Sequence, residues 1–110
     1  MKHKLVISVQ SYTFALLYLL KTNELAKEFV SQGGFQIFSN YLDQECVEDF
    51  QIAYNVICAR WVISAHPFAM NGVDDFSLSV IEKTAKVLDF FNNEKIVRIV
   101  LMLFHVITLS

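Results

Sequence analysis

With 110 residues and 55% apolar content, the chain has room for one small domain and enough hydrophobic side chain to fill its core, which excludes intrinsic disorder. A net charge of -2, with nine scattered basic residues, excludes the one-sided basic footprint of a nucleic-acid binder. Cys46 and Cys58 are too few for a disulfide scaffold and lack the CxxC spacing of a zinc site, so they read as reduced thiols.

One proline, three glycines and apolar segments of helical period define an all-α chain. The first helix, Leu5 to about Lys21, is apolar on nearly all sides, as a helix buried between neighbours would be. Its sixteen uncharged residues, Leu5 to Leu20, fall short of the roughly twenty that span a bilayer and include Ser8, Gln10, Ser11 and Thr13. Arg60, Arg98 and His105 interrupt the other apolar helices, so no membrane insertion is expected. The run also lacks a small-residue cleavage site before Lys21, which argues against a signal peptide.

Asn23 is placed to cap a short second helix, Glu24 to about Gln32, with Leu25 and Phe29 on one face; Gly33 and Gly34 should end it. A third helix, Phe35 to Leu42, turns Phe35, Phe38 and Leu42 inward and breaks at Asp43-Gln44-Glu45. In the fourth, Glu48 to Ala65, the residues Phe50, Ala53, Tyr54, Ile57, Cys58 and Trp61 make an apolar face three turns long, widened by Ile52, Val56, Ala59 and Ile63. Gln51, Asn55 and Arg60 are left as its polar surface, and so narrow a polar strip requires this helix to be sandwiched. Trp61 reads as a core anchor.

Pro67 stops the fourth helix and leaves His66 in a solvent-facing loop. Beyond Asn71-Gly72, Ser79 with Glu82, or else Ser77, caps a fifth helix that runs to about Phe91. It buries Ile81, Ala85 and Leu88 and leaves Glu82, Lys83, Lys86 and Asp89 in water. Asn92-Asn93 turns the chain into a sixth helix, Glu94 to Leu109.

The fourth and sixth helices superpose at a spacing of 46 residues, pairing Glu48 with Glu94, Phe50 with Ile96, Tyr54 with Val100, Ile57 with Leu103 and Trp61 with Ile107. A period near forty is that of armadillo or HEAT repeats, and the order short helix, helix, long inner helix is the armadillo pattern. The expected architecture is therefore a right-handed helical repeat stack of about two and a half repeats, with residues 1–110 as part of a single armadillo-like domain. Its terminal helices are apolar enough that self-association through Leu5 to Leu20 or Ile96 to Leu109 is expected.

No P-loop, GxSxG, HExxH or dinucleotide glycine pattern occurs, so no catalytic, cofactor or metal residue is assigned. His105 has no metal-ligating partner three or four residues away. Asp43, Glu45, Glu48 and Asp49 lack the glycine and oxygen spacing of a calcium loop and suit the positive end of a helix instead.

Phe29-Val30-x-x-Gly33-Gly34, Gln51-Ile52-x-Tyr54, Trp61-Val62-Ile63-Ser64-x-x-Pro67 and Glu94-Lys95-Ile96-Val97-Arg98-Ile99 resemble the middle of the H subunit of the vacuolar-type proton-pumping ATPase. The similarity runs over roughly residues 21 to 104, with Ala65-His66 and the stretch from Phe68 to Leu78 departing from it. This resemblance implies an armadillo-type piece of a non-catalytic regulatory subunit, cytoplasmic and held peripherally at the vacuolar or endomembrane surface. The implied partners are the peripheral stalk and other subunits of the pump, and no cofactor is implied. On that reading Glu24, Lys27, Glu28, Glu82, Lys83, Lys86 and Asp89 are the candidate contact residues. The competing readings are a generic armadillo adaptor and a small membrane protein. Ala65 stands four residues after Trp61 where import receptors of armadillo type carry an Asn, which disfavours their peptide grip.

Overall fold

Helix boundaries follow the caps and breakers in the sequence, and burial then sorts the helices into two rows. The computed structural model describes residues 2–43, 49–70, 75–91 and 93–108. Among these residues there are six α-helices, α1 (Lys2–Leu19), α2 (Asn23–Ser31), α3 (Gly34–Tyr41), α4 (Phe50–Ser64), α5 (Asp75–Val87) and α6 (Glu94–Thr108), together with a 3-10 helix at Pro67–Met70 and no strand. Helix α4 packs between α1 and α6, α3 packs on α5, and α3 also touches α2 and α4.

Helix α2 starts one residue early: Thr22 occupies the cap position with extended backbone and no side-chain bond, so Asn23 is the first helical residue rather than the cap. Its inward side is Ala26, fully buried, with Phe29 and Val30 half-buried, whereas Leu25 is 47% exposed. The two glycines have separate duties. Gly33, at φ 87, adopts the left-handed turn that closes α2, and its carbonyl accepts from the Gln36 and Ile37 amides in the first turn of α3. Gly34 begins α3, and a Cβ there would lie 2.2 Å from the Phe29 ring. That ring in turn packs 5.1 Å from Phe38. Phe35, Phe38 and Leu42 are buried as their spacing requires.

The Asp49 carboxylate accepts from the Ile52 amide at 2.9 Å and caps α4, and the Asn93 side chain does the same for α6 through Ile96 at 3.0 Å. Asp49 thus supplies the negative charge expected at this helix start, while Glu45 and Glu48 lie outside the described residues. These caps set the correspondence of the two helices at 44 residues, Asp49 with Asn93, not 46. Ile52 with Ile96, Val56 with Val100 and Ala59 with Leu103 are then buried alike. The shorter spacing aligns cores, whereas the longer one aligns half-buried Phe50 and Tyr54 with buried Ile96 and Val100.

Helix α4 is sandwiched, and of the three polar side chains expected at its surface only Gln51 is exposed. Asn55 and Arg60 are 1% and 4% exposed. Asn55 Nδ2 donates to Thr13 Oγ1 at 3.1 Å and to the Gln10 carbonyl at 3.3 Å, while Gln10 Nε2 reaches the Asp49 carboxylate at 3.1 Å. Arg60 lies 4.6 Å over the Phe35 ring and donates to Ser64 Oγ at 2.6 Å. Helix α1 supplies the partners of Asn55, and Arg60 is met by the Phe35 ring of α3 and by Ser64 of its own helix, which makes burial of these groups tolerable.

Helix α5 is already under way at Asp75, so neither Ser77 nor Ser79 caps it, and it ends at Val87. From Leu78 onward Val80, Thr84 and Val87 are buried; Ile81 and Leu88 are half-buried and Ala85 is exposed. From Ser8 onward helix α1 is covered on one side only. Thr13, Leu16 and Leu20 are buried, and Tyr12, Phe14, Tyr18 and Leu19 face out.

Candidate partner-binding surfaces

The charged residues singled out in the sequence, apart from Asp89, fall on two helices that both pack against α3. Glu24, Lys27 and Glu28 are exposed on α2, where the Glu28 carboxylate accepts from Gln32 Nε2 at 3.0 Å. Glu82 and Lys86 are exposed on α5, and Asp89 is exposed in the turn after it.

Lys83 departs from the expectation of a solvated side chain. It is half-buried, ion-paired with Asp43, and donates to the Ser39 carbonyl at 3.1 Å and Ser39 Oγ at 2.9 Å. Ser39 Oγ also shares a hydrogen bond with Ser79 Oγ at 2.8 Å. The negative end of α3 and the Asp43 carboxylate together draw the ammonium inward. Lys83 therefore ties α5 to α3.

A second surface was not legible from periodicity. Tyr54, Cys58, Trp61 and Ala65 form one stripe along α4 and are its open edge, half-buried or exposed while most of the helix is covered. A shallow concavity of about 430 Å³ lies at one end of the stripe, lined by Tyr54, Glu94, Lys95, Arg98, Ile99 and Met102. Another of about 200 Å³ lies at the other end, lined by Lys21, Trp61, Val62, Ala65 and His66. Lys95 Nζ sits 4.4 Å over the Tyr54 ring, and Arg98 is ion-paired with Glu94. Trp61 thus packs against the core with one face open, and is not the enclosed anchor its position on the helix wheel suggests.

His66 is not a free loop residue. Its Nε2 lies 2.7 Å from the Leu20 carbonyl, so this nitrogen carries the proton and donates, and the ring stacks on Phe68. His105 is exposed on α6. Burial pushes the Cys58 thiol up, against the Tyr54 hydrogen bond and the Lys95 charge, which pull it down. Burial also raises the Tyr54 hydroxyl, with the Cys58 charge and hydrogen bond adding to the shift. Both groups stay protonated near neutral pH, which is the opposite of an activated thiol. Among the described residues no cluster of three His, Cys, Asp or Glu side chains is arranged to hold a metal ion. No helix among them is long and apolar enough to cross a membrane.

Helices in two rows, with charged outer faces and an aromatic open edge, define an all-α protein. The family model for the N-terminal part of the V-ATPase H subunit matches residues 4–107, and the chain belongs to this family. The match takes in α1 and the stretch from Phe68 to Leu78, beyond the motifs that carry the resemblance in the sequence. No curated protein and no solved structure matches the chain.

Proposed function

We propose that the chain is part of the helical scaffold of the pump's H subunit, which is non-catalytic and regulatory, contacts the peripheral stalk of the vacuolar-type ATPase and supports coupled ATP hydrolysis and proton transport. The observation that carries this reading is the family match over residues 4–107. The helix rows support its armadillo-like part: α1, α4 and α6 in one row and α3 and α5 in the other is the packing that successive repeats would produce, with α2, α3 and α4 as one three-helix unit. On this reading the protein works in the cytoplasm at the membrane-peripheral side of the pump.

The stalk contact is assigned to Glu24, Lys27 and Glu28 on α2 and to Glu82, Lys86 and Asp89 near α5, with Lys83 holding α5 in place. The test is capture of the purified peripheral-stalk heterodimer of the same organism by the immobilised chain. Wild type should capture it, and a variant combining Glu82→Lys, Lys86→Glu and Asp89→Lys should capture less. Absence of capture by wild type would remove the stalk assignment. Undiminished capture by the variant would move the contact off α5.

A further inference from the structure

The open edge of α4 joins two concavities of the same chemical make-up. Each has an aromatic ring in its lining, Tyr54 in one and Trp61 in the other, and each has an exposed lysine, Lys95 and Lys21 respectively. Arg98 adds a third cation beside Lys95, and among the described lining residues the one carboxylate, Glu94, is already paired with it. A local excess of positive charge on a chain of net charge -2 sets this edge apart.

Tyr54 and Trp61 lie seven residues apart on one helix, so the two rings are separated by roughly 10 Å along its axis at 1.5 Å per residue and point the same way. A bound α-helix lying along α4 would present side chains i and i+7 at the same spacing and on one face. An extended strand covers that distance in about three residues, whose side chains point to opposite faces. We infer that the Tyr54 to Ala65 edge of α4, flanked by Lys21 and Lys95, is a docking groove for an acidic amphipathic helix of a partner protein, with two apolar anchors two turns apart. The anchors enter the two concavities, and acidic residues beside them meet Lys21 and Lys95. Apolar contact supplies the affinity, while the charges set orientation and exclude basic helices. These residues are distinct from the charged faces of α2 and α5, so failure of this groove leaves the stalk contact standing and the converse also holds.

Trp61 is the only tryptophan and reports on the groove directly. The probe is an alanine-based helical peptide of about 20 residues with leucines at i and i+7 and glutamates beside them. One control peptide replaces every glutamate by lysine, and a second moves the leucines five residues apart. Titrated into the full chain at low salt, the acidic peptide should shift Trp61 emission to the blue and bind at least tenfold more tightly than either control. Lys21→Glu with Lys95→Glu should weaken it at least tenfold at an unchanged denaturation midpoint, and Lys21→Gln with Lys95→Gln by less. The inference is overturned if the three peptides bind alike or none shifts Trp61, or if the reversals have no effect. It is equally overturned if Trp61 emission responds instead to protein concentration alone, which would assign the edge to a second copy, or only to phosphatidylserine vesicles.

Discussion

Helices α4 and α6 are two versions of one element, and their difference shows what a neighbour does to a helix. Paired through their caps, Asp49 with Asn93, they bury the same core positions, Ile52 with Ile96 and Val56 with Val100. Helix α4 is covered by α1 on one side and α6 on the other, and it carries buried Asn55 and Arg60 at places where α6 carries Ile99 and Phe104. Among the packed helices α6 has α4 as its main neighbour, and it turns Arg98, Leu101 and Met102 outward. A covered helix uses polar groups internally, where they fix how it meets its neighbour. A helix open on one side can place hydrophobic residues in the inner stripe and leave charge outside.

The comparison breaks first at the shared core. Ile52→Ala and Leu103→Ala should each cost about 2–5 kcal/mol in chemical denaturation, because both side chains are fully buried. Leu101→Ala, at a residue 63% exposed, should stay within about 0.5 kcal/mol. Equal losses at Leu101 and Leu103 would mean that α6 is covered on both sides, as α4 is.

The next effect tests the polar contact that α4 has and α6 lacks. Asn55→Ala should cost about 1–3 kcal/mol, because it strips a donor from Thr13 Oγ1 and the Gln10 carbonyl inside the α1 and α4 contact. In a double-mutant cycle Thr13→Val with Asn55→Ala should lose clearly less than the sum of the single changes. Strict additivity would show that the two side chains do not act together.

Trp61→Ala probes the open edge of α4. With one face of the ring uncovered, the loss should fall below the roughly 3–5 kcal/mol typical of an enclosed aromatic residue. A loss within that range would place Trp61 in the core after all.

The smallest effect concerns Cys58. Its thiol is raised by burial in the folded chain, so folding is favoured while the thiol is protonated, and that contribution is lost as pH rises through the folded-state value. The Tyr54 hydroxyl, also raised, acts in the same direction. Stability should therefore fall on the alkaline side, above the ordinary thiol range, and Cys58→Ala should flatten that fall. An unchanged alkaline slope in the variant would remove the thiol from the account.

Much of this was legible locally. Asn93 before Glu94, the glycine after α2 and Pro67 after α4 marked helix ends, because caps and breakers act through backbone groups a few residues away. Phe35, Phe38 and Leu42 declared their face because α3 is short and amphipathic. The family motifs pointed the same way, and the match over residues 4–107 agrees with them. Other residues misled for an identifiable reason. Asn55, Arg60 and Lys83 look solvent-facing on a helix wheel, yet each is drawn inward by partners distant in sequence, Thr13 and Gln10, Phe35, and Ser39 with Asp43. His66 is held by Leu20, 46 residues earlier. Leu25 and Phe14, which the helical period places inward or under cover, are exposed because none of the described helices packs over them.

What the sequence by itself determined about this protein is its all-α class, most of its helix limits and its family, since these rest on backbone preferences, period and motif. Which side of an almost wholly apolar helix faces inward was decided only by the tertiary structure. When nearly every position is hydrophobic, a helix has no internal reason to prefer one side, and the choice passes to the neighbours that cover it. So it is the placement of α1 and α6 against α4 that buries Asn55, leaves the Tyr54 to Ala65 edge open, and creates the groove at which a partner can be sought.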